Sequence, residues 1–261
     1  MRLRTHLQRC ATIKQPIRVV ARAGQTSLNA SSGMKPASKD LQPPKDLPTL
    51  SSLEWSKPLQ IVRYPDPRLR AVNAKITKFD SSLLELAKEM IQAMYLDDGV
   101  GLAAPQVGIN ARLMVFNPHG KEKPGNESIL VNPEIVSISK STAVETEGCL
   151  SFPDRCSNDV SRTLIYADVE RPRDIIVKAQ DEKGEPVQLQ LGGLSDLGAF
   201  ISRIFQHEYD HLQGILFHDR MKANVLDSVR TSLQALEEEF LVANPGVKIQ
   251  RIPAMKVKKG F

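Results

Sequence analysis

In FDSSLLELAKEMIQAMYLDDGVG (79–101), apolar residues Leu83, Leu86, Met90 and Met94 recur at intervals of three and four, the period of a helix with one buried face. Asp80 or Ser82 can cap its start, and Ser82 with Glu85 has the form of a capping box. Gly99 and Gly101 are placed to end it. The pattern then changes. ARLMVFNP (111–118) and ESILVNPEIVSIS (127–139) are runs rich in β-branched residues, bounded by Pro and Asn, and predict strands. DIIVKAQDEKGEPVQLQL (174–191) predicts two strands around a turn at Asp181–Gly184. Helical spacing returns from about Ala199 to Gln213, with Gly214 as its stop, and again from about Asn224 to Ala243, ended by NPG. No internal repeat is visible. Helices bracketing antiparallel strands predict an α+β fold with one catalytic domain, 58–243.

Residues 24–57 are rich in Ser, Pro and Lys without sustained periodicity, which predicts a flexible linker. The net charge of +5 changes meaning once it is located. Residues 1–39 hold eight Lys or Arg and no acid, leaving 27 basic against 30 acidic residues elsewhere. The bulk of the chain therefore lacks the charge of a DNA or RNA binder, and no specific DNA partner is expected. An acid-free leader rich in Arg, Ser, Thr and Ala has the composition of an organelle transit peptide, expected over 1–23. No apolar run approaches the roughly 20 residues of a membrane helix, so no membrane partner is expected.

The chemistry concentrates in QHEYDHLQG (206–214). On a helix, His207 and His211 at i and i+4 share a face and can offer nitrogens to one metal ion. Glu208 projects about 100° from His207, near such an ion without being needed as a ligand, where it can take a proton from water. Apolar Leu212, Ile215, Leu216 and Phe217 argue against a solvated helix face. A catalytic site needs a third ligand. His218 is one candidate, though it stands one place late for a His-Glu-x-x-His-x-x-Gly-x-x-His pattern. A cysteine is the other, and spacing alone does not choose between Cys149 and Cys156.

GVGLAAPQ (99–106), EGCLSFP (147–153) and QHEYDHLQG together resemble, in order, the three motifs of peptide deformylases. The flanking LQIVRYPDPRLR, RLMVFNP and IFQHEYDHLQGILFHDRM resemble the plant organellar branch. The resemblance implies an α+β fold with antiparallel sheets around a central metal-binding helix. It also implies one divalent metal ion held by Cys149, His207 and His211, with Fe2+ favoured and Zn2+ suited. The reaction implied is removal of the formyl group from N-formylmethionyl nascent peptides, with formate released. Glu208 would carry the proton, while the Gln106 side chain and the Leu150 backbone N–H would stabilise the oxyanion. Val100, Gly101 and Gly148 are expected to bind substrate, and Phe205 is a candidate wall for the methionine pocket. The plastid is the expected compartment, with the mitochondrion second.

Two stretches, 154–164 and 192–202, are longer than the resemblance leads one to expect; the first is read as a tolerated loop or a coding error. The basic tail 244–261, with five Lys or Arg and no acid in 247–261, suggests docking to the ribosome near the tunnel exit. The competing readings are a zinc endopeptidase ligated by His218 or a distant acid instead of Cys149, and an inactive paralogue disabled by the insertion.

Overall fold

The computed structural model describes residues 33–154 and 164–254. The leader 1–23, the start of the expected linker, Cys10, Cys156, nearly all of 154–164 and the end of the tail lie outside them.

The predicted strands, found as β5 (Leu113–Phe116), β6 (Ser128–Ser139), β9 (Ile175–Gln180) and β10 (Pro186–Leu191), assemble with a further strand, β4 (Gly101–Ala103), into one sheet in the order β10-β9-β6-β5-β4. All neighbours in this path are antiparallel. Strand β5 reads as an unbroken apolar run because both of its faces are covered. Leu113 and Val115 pack with α1 (Ser81–Leu96), while Met114 and Phe116 pack with α2 (Asp196–Leu212). The α1 stripe is Leu83, Leu86, Met90 and Met94, all fully buried. Burying each such side chain contributes roughly 1.5–3 kcal/mol.

A separate hairpin, β7 (Thr142–Pro153) with β8 (Leu164–Pro172), covers the side of α2 that faces away from the sheet. A third helix, α3 (Ala223–Ala243), packs beyond it through Leu233 and Leu236. Every residue of α2 from Ile201 to Leu212 is buried, so the central position expected of this helix holds. Among the described residues no helix is long and apolar enough to cross a membrane.

Four expectations need correction. Over its described part, residues 33–57, the segment expected as a linker is docked. Strand β1 (Met34–Pro36) pairs with the C-terminal half of β6, and β2 (Thr49–Leu50) pairs in parallel with β3 (Lys75–Ile76). Leu50, Leu53 and Trp55 pack against the α1 core. Pairings of two or three residues are too short to leave a period in the sequence. The cap of α1 is Asp80, which accepts from the N–H groups of Ser82 and Leu83; Ser82 lies inside the helix, so no capping box forms there.

The helix also ends earlier than its glycines suggest. It stops at Leu96, where Asp98 takes a left-handed conformation (φ 55°) and the Asp98 and Gly99 N–H groups donate to Tyr95 and Met94 carbonyls. Gly101 instead begins β4. Finally, the expected tail is tied down as far as Pro253: Ile252 is buried and its N–H donates to Glu237, and the Arg230 guanidinium donates to the Pro253 carbonyl.

The stretch 192–202 is a compact helix entry. Gly192 and Gly193 turn the chain at positive φ, Ser195 accepts from the Gly198 N–H as N-cap, and α2 begins three residues ahead of Ala199.

Candidate active site

Helix α2 has an apolar stripe (Ile201, Ile204, Phe205, Leu212) toward the sheet and a polar one (Arg203, His207, Asp210, His211) toward β7–β8. The hairpin offers the polar stripe complementary groups. On β7, Glu147 and Cys149 alternate onto the inner face, and both are buried. Across the hairpin, Arg171 of β8 bonds Glu147 through Nε and Nη2 and Asp210 through Nη1. Arg203 Nη1 also donates to Glu147, and Arg220 pairs with Asp210. Burial alone would raise the Glu147 carboxyl, but Arg171 and then His207 hold it far below the usual carboxylate range.

Because Glu147 is ionised it can only accept, so the His207 Nδ1 that lies 2.9 Å from its Oε2 carries the proton, leaving Nε2 free for a metal. Cys149 is a free buried thiol, and its Sγ lies 3.3 Å from His211 Nε2. Donor atoms of Cys149, His207 and His211 all fall within 4.8 Å of one another. One sulfur and two imidazole nitrogens form a set that suits zinc or ferrous iron, so the residues present fit a divalent ion. His218 is elsewhere. Its Nε2 is 3.2 Å from Arg70 Nη2, and its ring packs among Tyr64 and Phe152, so it cannot be the third ligand.

Glu208 turns the other way, toward β4. A Cβ on Gly101 would sit 2.4 Å from Glu208 Oε1, so glycine is required there for the carboxylate to fit. Burial pushes this carboxyl up to about 7. Its Oε2 is buried without a hydrogen-bond partner among the described residues.

Gln106 lies on a 3-10 turn (Ala104–Val107) directly after β4 and is 1% exposed, so it is no surface turn residue. The Ala103 N–H donates to its Oε1, which aims Nε2 at Cys149 Sγ (3.6 Å) and Ser151 Oγ (3.4 Å). At Leu150 the β7–β8 pairing is interrupted: the register stops at Gly148↔Tyr166 and resumes at Pro153↔Leu164. Gly148 is needed where it is, since a Cβ would meet the Tyr166 ring at 2.4 Å.

These groups line a cleft of about 740 Å³ that includes its open mouth. Val100, Gly101, Gln106, Gly148, Cys149, Leu150, His207 and Glu208 all line it. Phe205 does not; it stacks on Tyr209 inside the sheet-facing core, and the cleft's apolar wall is Phe200 and Ile204 instead. Sequence reasoning missed Phe200, Tyr166, Arg171 and Glu147. Only Glu147 carried a signal: two residues before Cys149 on a strand, it must share that residue's face.

A thiol, two imidazoles and a buried carboxylate with one unpartnered oxygen, gathered at the floor of one cleft and just behind it, define a metal-dependent hydrolase. The chain belongs to the polypeptide deformylase family, whose profile matches residues 58–226. It is 46% identical over 215 residues to the chloroplastic peptide deformylase 1B of Oryza sativa subsp. japonica, covering 82% of this chain and 74% of the relative. It is 44% identical over 209 residues to the chloroplastic/mitochondrial peptide deformylase 1B of Arabidopsis thaliana, covering 80% and 71%. Among solved structures it matches a plant peptide deformylase PDF1B with TM-score 0.68 at 45% identity, covering 77% of this chain and 100% of that one. A Plasmodium falciparum peptide deformylase matches with TM-score 0.63 at 38% identity, covering 72% and 100%. The enzyme uses one divalent metal ion to remove the formyl group from N-formylmethionyl nascent peptides. Its compartment is the plastid, with the mitochondrion as the second that the Arabidopsis name carries.

Proposed function

We propose that Glu208 moves the proton in this hydrolysis and that Gln106 Nε2 and the Leu150 N–H receive the charge that develops on the formyl oxygen. One observation carries the reading: a buried carboxylate with a bare oxygen stands beside the three metal donors, with the Gln106 amide aimed at the same place. A divalent ion held by Cys149, His207 and His211, ferrous iron by preference and zinc as second choice, supplies Lewis acidity that brings a water's pKa near neutrality. Glu208 takes the proton of the attacking water. It returns that proton to the amine nitrogen as the C–N bond breaks, so formate and a free α-amine leave. Each aimed donor at the oxyanion lowers the barrier by on the order of 3 kcal/mol. A glutamine does this without adding a charge that competes with the ion.

Strand β4 ends the sheet, and its outer edge is unpaired among the described residues. We assign that edge, with Val100 and Gly101, to the extended backbone of the peptide. Gly148 and its overlying Tyr166 form the opposite rim, and Val100, Phe200 and Ile204 receive the methionine side chain. The test is formate release from formyl-Met-Ala-Ser by iron-loaded enzyme prepared without air. Glu208→Ala is expected to keep the metal and lose about 10²–10⁴-fold in kcat. Cys149→Ala is expected to lose the metal. Turnover by Glu208→Ala within tenfold of wild type rejects the assignment.

We also infer that the basic end of the chain meets the ribosome near the tunnel exit, supported by the five basic residues and absent acids of 247–261. Deleting 255–261 should weaken co-sedimentation with ribosomes at low salt; unchanged co-sedimentation removes the idea.

A further inference from the structure

We propose that Arg112 is a positioning residue for the metal centre, acting on His211 through the last turn of α2. Arg112 directly precedes β5, is fully buried, and has no carboxylate within ion-pair distance among the described residues. A buried guanidinium without an acid is costly unless other acceptors hold it. Here the acceptors belong to two elements. Nη1 donates to the Leu212 carbonyl at 3.2 Å and to Gln213 Oε1 at 3.0 Å, while Nη2 donates to the Pro133 carbonyl at 2.7 Å.

Both ends of this clamp are built for it. The Pro133 carbonyl comes from an irregularity in β6, where the pairing with β9 shifts between Val131 and Glu134 and Asn132 stands at φ 50°. Such a bulge re-aims backbone groups beside a site. The Asn132 side chain holds the bulge, exchanging two hydrogen bonds with the Ile76 backbone and donating to Gln180. At the helix end, Gly214 (φ 68°) closes a turn in which the Gly214 and Ile215 N–H groups donate to His211 and Asp210. The Leu212 carbonyl gets no donor from that turn and takes Arg112 together with Asn73 Nδ2, which is 3.2 Å from both the His211 and Leu212 carbonyls. A cation here also complements the negative end of the helix dipole. The residue whose carbonyl Asn73 binds is the ligand itself, and Arg112 grips the next one. Bonded to sheet and helix alike, Arg112 sets how far the His211 ring stands from Cys149 Sγ, which comes from a different element.

This inference rests on the assignment of Cys149, His207 and His211 as ligands. The test compares wild type, Arg112→Lys and Asn73→Ala for Zn2+ affinity by chelator competition, for the visible absorption of the Co2+ form, and for kcat and KM separately. Arg112→Lys keeps the charge and loses the fork, so it cannot reach both elements. The expected result is a loss of about 10–100-fold in metal affinity, a shifted Co2+ spectrum and a lowered kcat at unchanged KM. Native affinity and spectrum in soluble Arg112→Lys, with only a lower unfolding temperature, overturn the proposal by leaving a purely structural role. If Arg112→Lys does not fold, Asn73→Ala decides: a spectral shift supports positioning by the capped turn, and a native spectrum overturns it. Cys149→Ala run alongside keeps the two readings apart, because wild-type affinity in that variant defeats the ligand assignment itself.

Discussion

Helices α1 and α2 have nearly the same length, 16 and 17 residues, and lie on opposite faces of one sheet. They bury their apolar stripes in the same way and differ in what becomes of the polar side. On α1 it is solvated: Ser81, Glu85, Lys88 and Gln92 are exposed at helical spacing. On α2 it is covered by β7–β8, and His207, Asp210 and His211 go into the dark together with Arg203. Removing charges from water costs several kcal/mol per ion, and only dense mutual pairing offsets it. The Glu147, Arg171, Asp210, Arg203 and Arg220 network meets that requirement. What the second arrangement yields is a buried, densely ion-paired frame around two imidazoles, which a solvated helix face cannot provide.

The contrast can be broken most strongly at Arg171. Arg171→Met leaves Glu147 and Asp210 partly uncompensated and is expected to cost about 3–5 kcal/mol in urea unfolding. The matching change on α1, Gln92→Met, should stay within about 0.5 kcal/mol; equal effects would deny that the two polar faces differ. The apolar stripes, by contrast, should behave alike. Leu86→Ala and Leu212→Ala are each expected to lose about 2–5 kcal/mol by calorimetry, each leaving a cavity against the same sheet.

On the α2 side acid should act through His218. Burial lowers the His218 pKa from 6.5 to about 4, and Arg70 beside its Nε2 works in the same direction. The unfolded chain takes the proton first, so stability contributed by the neutral ring is complete above pH 6.5 and falls as pH drops toward 4. The loss is on the order of 3 kcal/mol. The difference in urea midpoint between wild type and His218→Gln should shrink over that interval, and a constant difference would contradict the assignment. The smallest effect concerns the start of α2: Ser195→Ala removes the bond from the Gly198 N–H and is expected to cost about 1 kcal/mol in the same assay.

Much of the α1 side was legible because its information is local. Cap, stripe and strand runs follow from sterics and from periods of 3.6 and 2, which act over a few residues. The α2 side was legible only in part. His207 and His211 declared themselves by their spacing, and Glu208 by its place between them. Resemblance, and not spacing, selected Cys149. The choice became physical only when the hairpin laid its inner face on α2. Phe205 was misassigned because a helix residue two places from a ligand turns about 200° away, here into the sheet.

The sequence by itself determined the elements, the pair of imidazoles on one helical face and the carboxylate beside them, since each depends on chain geometry within a turn or a strand. Tertiary structure decided the sulfur that joins them, the Glu147–Arg171 support behind His207, the need for Gly101 beneath Glu208, and the docking of residues 33–57. These are meetings between segments far apart in the chain. They are set by which surfaces bury against one another, and no local period records them.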